Sequence, residues 1–460
     1  MARMNDDVIL PFNAAMIRDK YLVTNMLGAW DVLAPAEFKQ LNAMRPLPGT
    51  PLWLRLKERG IVVDEKNILP MIQQYRNLNA NLFLDTALHI AVVTTQCNLS
   101  CSYCQADVAP AQDMTMEVAA KVLEYLFGVR NPSVVLEFQG GEPLANWPVV
   151  KFMIENARKF NTAGKNLRIS LVSNLLLLDD DKMKVLADQH VDVCTSLDGP
   201  KAWHDHNRKN SGGKGSYDQV MARIDRFKNG FGQSVSLLAT ITRGSLEHAE
   251  AIVDEYVRLG QQQICLRPVN NMGAAQCAWG DIGYSPEEFN AFYGRAMDHI
   301  LALNRKGTFI MERMARVILT KVLAGKDPGY VDLMNPCGAG RMTMAYMPDG
   351  SCYPCDEARM IGDDIFKLGN ILDETYDDMV KKENLMHLLQ ASCSDLWHSS
   401  SVFSPWIGYC PVVNYALQKN VVPKVHCSSQ HKIITGQFAY IFDKMVKRGY
   451  EVEIFKKWLV

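Results

Sequence analysis

A chain of 460 residues that is 48% hydrophobic and 22% charged, with a net charge of −1, has room for two or three domains, each with its own core. The near-neutral balance excludes the electrostatic footprint of a nucleic-acid or anionic-membrane binder, and no apolar run approaches the roughly 20 residues that span a bilayer. The opening MARMNDDVILPF lacks the basic-then-apolar order of a secretory signal, so the expected compartment is the cytoplasm; twelve cysteines there need a reason other than disulfides.

In chain order, YLVTNMLGAWDVLAPAEFKQL predicts two strand-like segments and a helix opened by Pro35-Ala36-Glu37. PLWLRLKERGIV predicts a second helix stopped at Gly60. From residue 86 to about 270, strands and helices alternate. Strands are expected at 89–95, 133–138, 168–174, 191–198, 234–242 and 263–269, with helices between them at 116–129, 148–160, 180–188, 216–228 and 246–259. The strands read as apolar on both faces, as parallel strands covered by helices do. Six such units predict an α/β fold built on a partial (β/α)6 barrel, with chemistry at the strand C-terminal ends. Helices follow over 285–325, then a cysteine-rich region, then an amphipathic helix in QFAYIFDKMVKRGY.

The cysteines cluster. Cys97, Cys101 and Cys104 fall in CNLSCSYC, directly after the first barrel strand. Three thiolates on one tight loop can hold three irons of a four-iron cluster and leave the fourth open to a chelating small molecule. A zinc site would need a fourth ligand, for which His204 and His206 are available but distant in sequence. Cys194, Cys265 and Cys277 stand alone and read as buried small hydrophobes.

C-x-x-x-C-x-x-C with Tyr103 before the last cysteine resembles the signature of radical S-adenosylmethionine (radical SAM) enzymes. The likeness continues through the core. QGGEP after the second strand resembles the segment that binds the methionine amino group, which implies Gly140, Gly141 and Glu142 as cofactor-binding residues. SNL resembles the contacts to ribose or carboxylate, implying Ser173 and Asn174; SLDGP implies Ser196 and Asp198. HDHNRKNSGGKGS resembles the family's H-x-x-R…GKGS stretch and implies Arg208 near the cofactor carboxylate. The implied cofactors are a [4Fe-4S] cluster and S-adenosyl-L-methionine. The implied chemistry is reductive cleavage to a 5′-deoxyadenosyl radical that takes hydrogen from substrate.

CGAGRMTMAYMPDGSCYPCDEAR resembles the opening of the SPASM/twitch extension, with a hairpin turn at PDG. The resemblance implies one auxiliary iron–sulfur cluster on Cys337, Cys355 and Cys410, with Cys352 as fourth ligand and Cys393, Cys427 or His398 as substitutes. Aligned on Cys410-Pro411, the family's other loop cysteines fall on His398, Ser401 and Ile407, so a second auxiliary cluster is not expected. A zinc site in this region stays open. Asp356 after Cys355 resembles a catalytic acid that takes a substrate proton.

The expected organisation is an N-terminal α+β subdomain (1–85) loosely like a winged-helix peptide-recognition element, the barrel (86–325), a SPASM/twitch-like iron–sulfur domain (326–435) and a C-terminal helix (436–460). The ordering of the last third most resembles maturases of the His-Xaa-Ser peptide system. That implies a ribosomally made peptide with a leader as substrate, a side-chain cross-link as product, and an electron donor such as flavodoxin or ferredoxin, with neither nucleic acid nor membrane as partner. Two alternatives stay open: a dehydrogenase like the anaerobic sulfatase maturases, and a non-catalytic iron–sulfur protein.

Overall fold

The computed structural model of the chain describes residues 7–43, 48–106, 110–393, 401–422 and 428–460. His398 and Cys427 lie outside them.

After a two-residue strand at Val8–Ile9 that pairs antiparallel with Val62–Val63, the N-terminal stretch forms a three-stranded antiparallel sheet: β1 (Phe12–Ile17), β2 (Lys20–Asn25) and β3 (Trp30–Leu33). Only two strands are legible in the sequence, because β1 reads FNAAMI and its alanines carry little strand preference. Helices α1 (Pro35–Asn42), α2 (Pro51–Arg59) and α3 (Ile68–Leu78) follow. The second is bounded as its sequence dictates: Thr50 accepts a hydrogen bond from Trp53 N, proline takes the first turn, and Gly60 closes the end at φ 78°. Val23, Leu33, Leu41, Trp53 and Leu56 form a separate small core here.

The central sheet is assembled from β4 (Leu88–Thr94), β6 (Ser133–Gly140), β7 (Asn166–Val172), β8 (Asp192–Ser196), β10 (Val235–Ile241) and β11 (Leu266–Pro268), all parallel and adjacent in chain order. Two short strands outside this sheet, β5 (Leu99–Cys101) and β9 (Arg208–Asn210), pair antiparallel with each other. Crossovers run through α4 (Met116–Gly128), α5 (Trp147–Phe160), α6 (Asp180–Asp188), α7 (Lys201–Asn207), α8 (Tyr217–Phe231) and α9 (Ala249–Arg258). This is the predicted alternation.

The expectation of two apolar faces holds on β4, where Ile90 and Val92 are buried on one side and Ala91 and Val93 on the other, and is corrected on β6 and β8. On β6, Val134, Leu136 and Phe138 are buried in the main core, while Val135, Glu137 and Gln139 alternate with them and stay half-buried. Cys194 on β8 alternates with buried Val193 and Thr195 in the same way. On these two strands the helices cover one face, and the other carries polar side chains. Cys194 and Cys265 are therefore half-buried rather than core residues, and Cys277 is exposed.

Helices α10 (Pro286–Arg305) and α11 (Arg313–Val322) lead into the cysteine-rich region. Its hairpin, β12 (Thr343–Tyr346) and β13 (Ser351–Tyr353), turns at Gly350 with φ 83°. It joins the main sheet: β12 runs parallel to β4 (Ala345 opposite Ile90), and β14 (Gly369–Asn370) closes the far edge. The rest is helical: α12 (Asp356–Ile361), α13 (Glu383–Ser392), α14 (Pro411–Gln418) and α15 (Ser429–Lys447). The final amphipathic stretch is longer than predicted, and α15 is followed by a further turn of helix at Glu451–Lys457.

The loop before Cys410 is hydrophobic filling. Trp406 stacks on Phe442 and Phe438 at 5.5 and 6.0 Å, and Ile407 is 0% exposed. Gly408 lies so close to the preceding segment that a Cβ would sit 2.3 Å from Met334 O. The N-terminal sheet docks on this loop and on α15. Asn13 Nδ2 donates to Ser401 O (3.0 Å), Thr24 Oγ1 to Val402 O (2.6 Å), and Trp30 stands edge-on to Phe442. Among the described residues, no helix is long and apolar enough to cross a membrane.

Candidate functional site

The C-terminal ends of β4, β6, β7 and β8 converge on the first cysteine loop. Strand β6 runs into Gly140-Gly141-Glu142, whose backbone continues alongside the loop: Gly141 N donates to Thr94 O (3.0 Å) and Glu142 N to Gln96 O (2.8 Å). Both glycines are needed for this approach, since a Cβ on Gly140 would lie 2.2 Å from Thr94 O and one on Gly141 2.3 Å from Gln96 O. The close contact expected with a ligand is thus made first with the chain's own backbone, one residue before Cys97.

Glu142 is fully buried. Its carboxylate accepts from Ser173 Oγ (2.7 Å), Asn174 N (2.7 Å) and Leu144 N (3.0 Å). Burial nevertheless pushes its pKa up to about 6, because desolvation outweighs these three donors. Ser173 and Asn174, predicted together, are brought to Glu142 by the end of β7. Asn174 also reaches forward, donating from Nδ2 to Asn98 Oδ1 (2.7 Å) and pointing at Cys97 Sγ (3.8 Å).

Asp198, 1% exposed, organises the other side of the loop. It accepts from Tyr103 Oη (2.6 Å), Arg208 Nε (3.2 Å), Asn207 Nδ2 (3.2 Å) and Thr240 N (3.2 Å). Arg208 lies over the Tyr103 ring at 5.0 Å and directs Nη1 at Cys101 Sγ (3.9 Å). Burial opposes the Arg208 charge, and Asp198 holds it in place. This follows from the β5–β9 ribbon, which sets Arg208 opposite Cys101. Tyr103 and Asp198 therefore bond to each other, so they position the cysteine loop. Ser196 ends β8, half-buried. Sequence reading missed Asn98, Asn207 and Thr240; the available signal was their position beside a cysteine or at a strand end.

The donor set fits an iron–sulfur cluster. The first two thiols each have an N–H aimed at the sulfur, Leu99 N at Cys97 (3.4 Å) and Arg208 at Cys101, which stabilises a thiolate ligand. Burial otherwise drives the thiols toward their protonated form, with Cys101 pushed up to about 11, so bare thiolates are costly here without a cation. Among the described residues, no three His, Cys, Asp or Glu side chains surround a point that a single metal ion could fill. His204 is buried, with Nε2 3.0 Å from Ser216 Oγ, and so is engaged elsewhere.

On β6 and β7 the sheet face opposite the helices is polar. Ser170 Oγ donates to Glu137 (3.0 Å), Gln139 Nε2 donates to Glu137 (2.7 Å), and Arg359 Nη2 donates to Gln139 (2.7 Å). Arg359 also holds Asp356 through Nε at 2.8 Å. Asp356, at the first position of α12, is therefore ion-paired and oriented, two links from the residue that precedes Gly140.

In the second region, Cys337 and Cys355 are buried in one small core together with half-buried Cys410. Cys355 and Cys410 each cap the N-terminus of a helix, α12 and α14, where the backbone favours a thiolate. Burial raises all three thiols, Cys337 to about 12. Cys352 is not with them, which corrects its assignment. It pairs with Tyr346 across the hairpin and faces the main core, its Sγ donating to Gly350 O (3.5 Å). Tyr353, next to it, faces the cysteines. Strand alternation separates Cys352 from Cys355 although only two residues lie between them.

Comparison with known proteins follows the same lines. Residues 91–256 match the model of the radical SAM superfamily. The chain is 22% identical over 371 residues to a cysteine-type anaerobic sulfatase-maturating enzyme of Clostridium novyi, covering 78% of this chain and 95% of that protein. Among solved structures, native anSMEcpe with bound AdoMet and Kp18Cys peptide superposes with a TM-score of 0.67 at 20% identity, covering 79% of this chain and 98% of that one. Streptococcus suis SuiB bound to precursor peptide SuiA gives 0.53 at 13% identity, covering 91% and 98%. These two likenesses show the fold.

Proposed function

We propose that this chain, which carries a radical SAM domain over residues 91–256, is a peptide maturase that abstracts hydrogen from a ribosomally made peptide and leaves a side-chain cross-link. The observation that carries this reading is the convergence, on successive strand ends, of three thiols, a buried carboxylate and a buried guanidinium around one loop. When bound, a [4Fe-4S] cluster and S-adenosylmethionine supply a one-electron cleavage of the sulfonium S–C5′ bond and a carbon radical at C5′. Cys97, Cys101 and Cys104 would hold the cluster, and Glu142 with Ser173 and Asn174 would receive the methionine ammonium. Arg208, fixed by Asp198, would direct its guanidinium to the cofactor carboxylate. The polar sheet face from Glu137 to Asp356 would supply hydrogen-bond partners for a peptide backbone, and Asp356 would take the proton.

Cys337, Cys355 and Cys410 would hold one auxiliary cluster. A second is not proposed, because Ile407 and Ser401 serve core packing and docking of the N-terminal sheet. That sheet, with α1–α3, would contribute leader recognition, and flavodoxin or ferredoxin the electron. The resemblance to peptide- and protein-modifying enzymes supports a peptide substrate.

Co-expression with a short peptide encoded beside the gene tests the reading. The expected product has lost two hydrogens, and fragmentation maps the change across two residues. The resemblance to sulfatase-maturating enzymes favours a second outcome, loss of two hydrogens from a single Ser to give an aldehyde, or from a single Cys to give a thioaldehyde that water hydrolyses to the aldehyde with release of hydrogen sulfide; either product reacts with a hydrazide probe.

Glu142 makes binding of S-adenosylmethionine pH-dependent. Its pKa is raised to about 6 by burial, so the charged form that pairs with an ammonium dominates above pH 6 and is lost as pH falls through it. Affinity in the reconstituted protein is expected to fall about tenfold from pH 7 to pH 5. Equilibrium binding across that range checks this; a flat profile in the wild-type protein would count against Glu142 as the ammonium partner.

A further inference from the structure

We infer that Cys393, not Cys352, is the fourth protein ligand of the auxiliary cluster, an assignment that rests on the cluster proposed above at Cys337, Cys355 and Cys410. Three observations lead to it. The first is the hairpin register. Cys352 lies opposite Tyr346 on the main-core face, where Tyr346 bonds His89 Nδ1 at 2.7 Å; reaching Cys355's side would require turning the strand over.

The second is where α13 ends. Cys337 N donates to Ser392 Oγ at 2.8 Å, which ties the last residue of α13 to the first cysteine of the set. Cys393 is the next residue, half-buried, its Sγ resting on Leu389 O at 3.5 Å. Leu388 on the same helix packs in the core that holds Cys337 and Cys355. The S–H···O contact that holds the sulfur there is weak, because a thiol is a poor donor, so little is lost when it turns to a metal.

The third is a pair of buried polar side chains with nothing to bond. Thr343 is 4% exposed, and its Oγ1 has no hydrogen-bond partner. It shares the sheet face of Ala345, which packs with Cys337 and Cys355. Asn335, two residues before Cys337 and 8% exposed, has neither Nδ2 nor Oδ1 paired. Orphaned donors are costly in a protein interior. Beside three thiols, the sulfide and thiolate sulfurs of a cluster are the acceptors that would satisfy them.

The four ligands are not equivalent. Cys355 and Cys410 sit at helix N-termini and Cys337 is buried, whereas Cys393, half-buried like Cys410, lies at a helix C-terminus, where the backbone does not favour a thiolate. The iron it holds is therefore the corner lost first.

The test uses the full chain with Cys97, Cys101 and Cys104 all changed to alanine, reconstituted anaerobically, with iron, sulfide and electron paramagnetic resonance as readouts. This parent should retain about four irons. Adding Cys352→Ala or Cys427→Ala should leave that number unchanged. Adding Cys393→Ala should reduce it to about three, with the signal of a three-iron cluster on oxidation, and Cys393→Ser should restore the fourth iron with an altered spectrum. Loss of iron from Cys352→Ala or Cys427→Ala with Cys393→Ala unchanged overturns the assignment. A parent without iron overturns the auxiliary cluster itself, a different and distinguishable failure.

Discussion

Replacing any one of Cys97, Cys101 or Cys104 by alanine is expected to reduce 5′-deoxyadenosine formation to background and remove about four irons per chain. The loss should be complete rather than graded, because the three thiols supply every protein ligand of one cluster and none is duplicated nearby. His204, the alternative donor considered above, is buried with Nε2 against Ser216 Oγ and is not expected to stand in. The measurement is anaerobic reconstitution with a chemical reductant, chromatography of the nucleoside product, and iron analysis of the same sample. The folded state should be little changed, since Cys97 is exposed and the other two are half-buried. Persisting cleavage in these variants would mean that the chemistry lies elsewhere.

The second large effect is expected from Asp198→Ala. This change leaves Arg208 buried without its counter-charge and Tyr103 Oη and Asn207 Nδ2 without their acceptor. Breaking a buried pair by removing one partner costs about 3–5 kcal/mol, a large share of a typical folding free energy. Cluster binding should weaken too, because Tyr103 and Arg208 position the loop that carries Cys101 and Cys104. Urea denaturation and iron content of the reconstituted variant check the two halves separately. If both match the wild-type protein, the hub assigned to Asp198 is not needed.

The two sites differ in how far the sequence reveals them. CNLSCSYC, QGGEP and SLDGP are local: each motif is a strand end plus its turn, and alternation alone orders the strands. Parallel strands joined by right-handed crossovers then have little choice but to gather those ends on one side. What such reasoning cannot supply is which partner each side chain takes. Tyr103, Asp198 and Arg208 are 105 residues apart at most and read as three separate cofactor contacts. The β5–β9 ribbon joins them into one support for the loop.

The inner sheet face was misread for a similar reason. HIAVVTT is buried on both faces as it reads, but SVVLEF looks just as apolar and is covered by helices on one side only, and Glu137, Gln139, Cys194 and Arg267 occupy the other side of their strands. Composition along a strand cannot report which of its faces is covered.

The sequence by itself determined the α/β alternation, the first cysteine loop and the turn chemistry of the hairpin, because each depends on residues a few positions apart. Only the tertiary structure decided that the hairpin extends the main sheet, that Cys352 faces away from Cys355, and that α13 brings Cys393 beside Cys337. Those outcomes depend on register and on packing between segments tens to hundreds of residues apart, where a shift of one residue along a strand reverses the face on which every side chain lies.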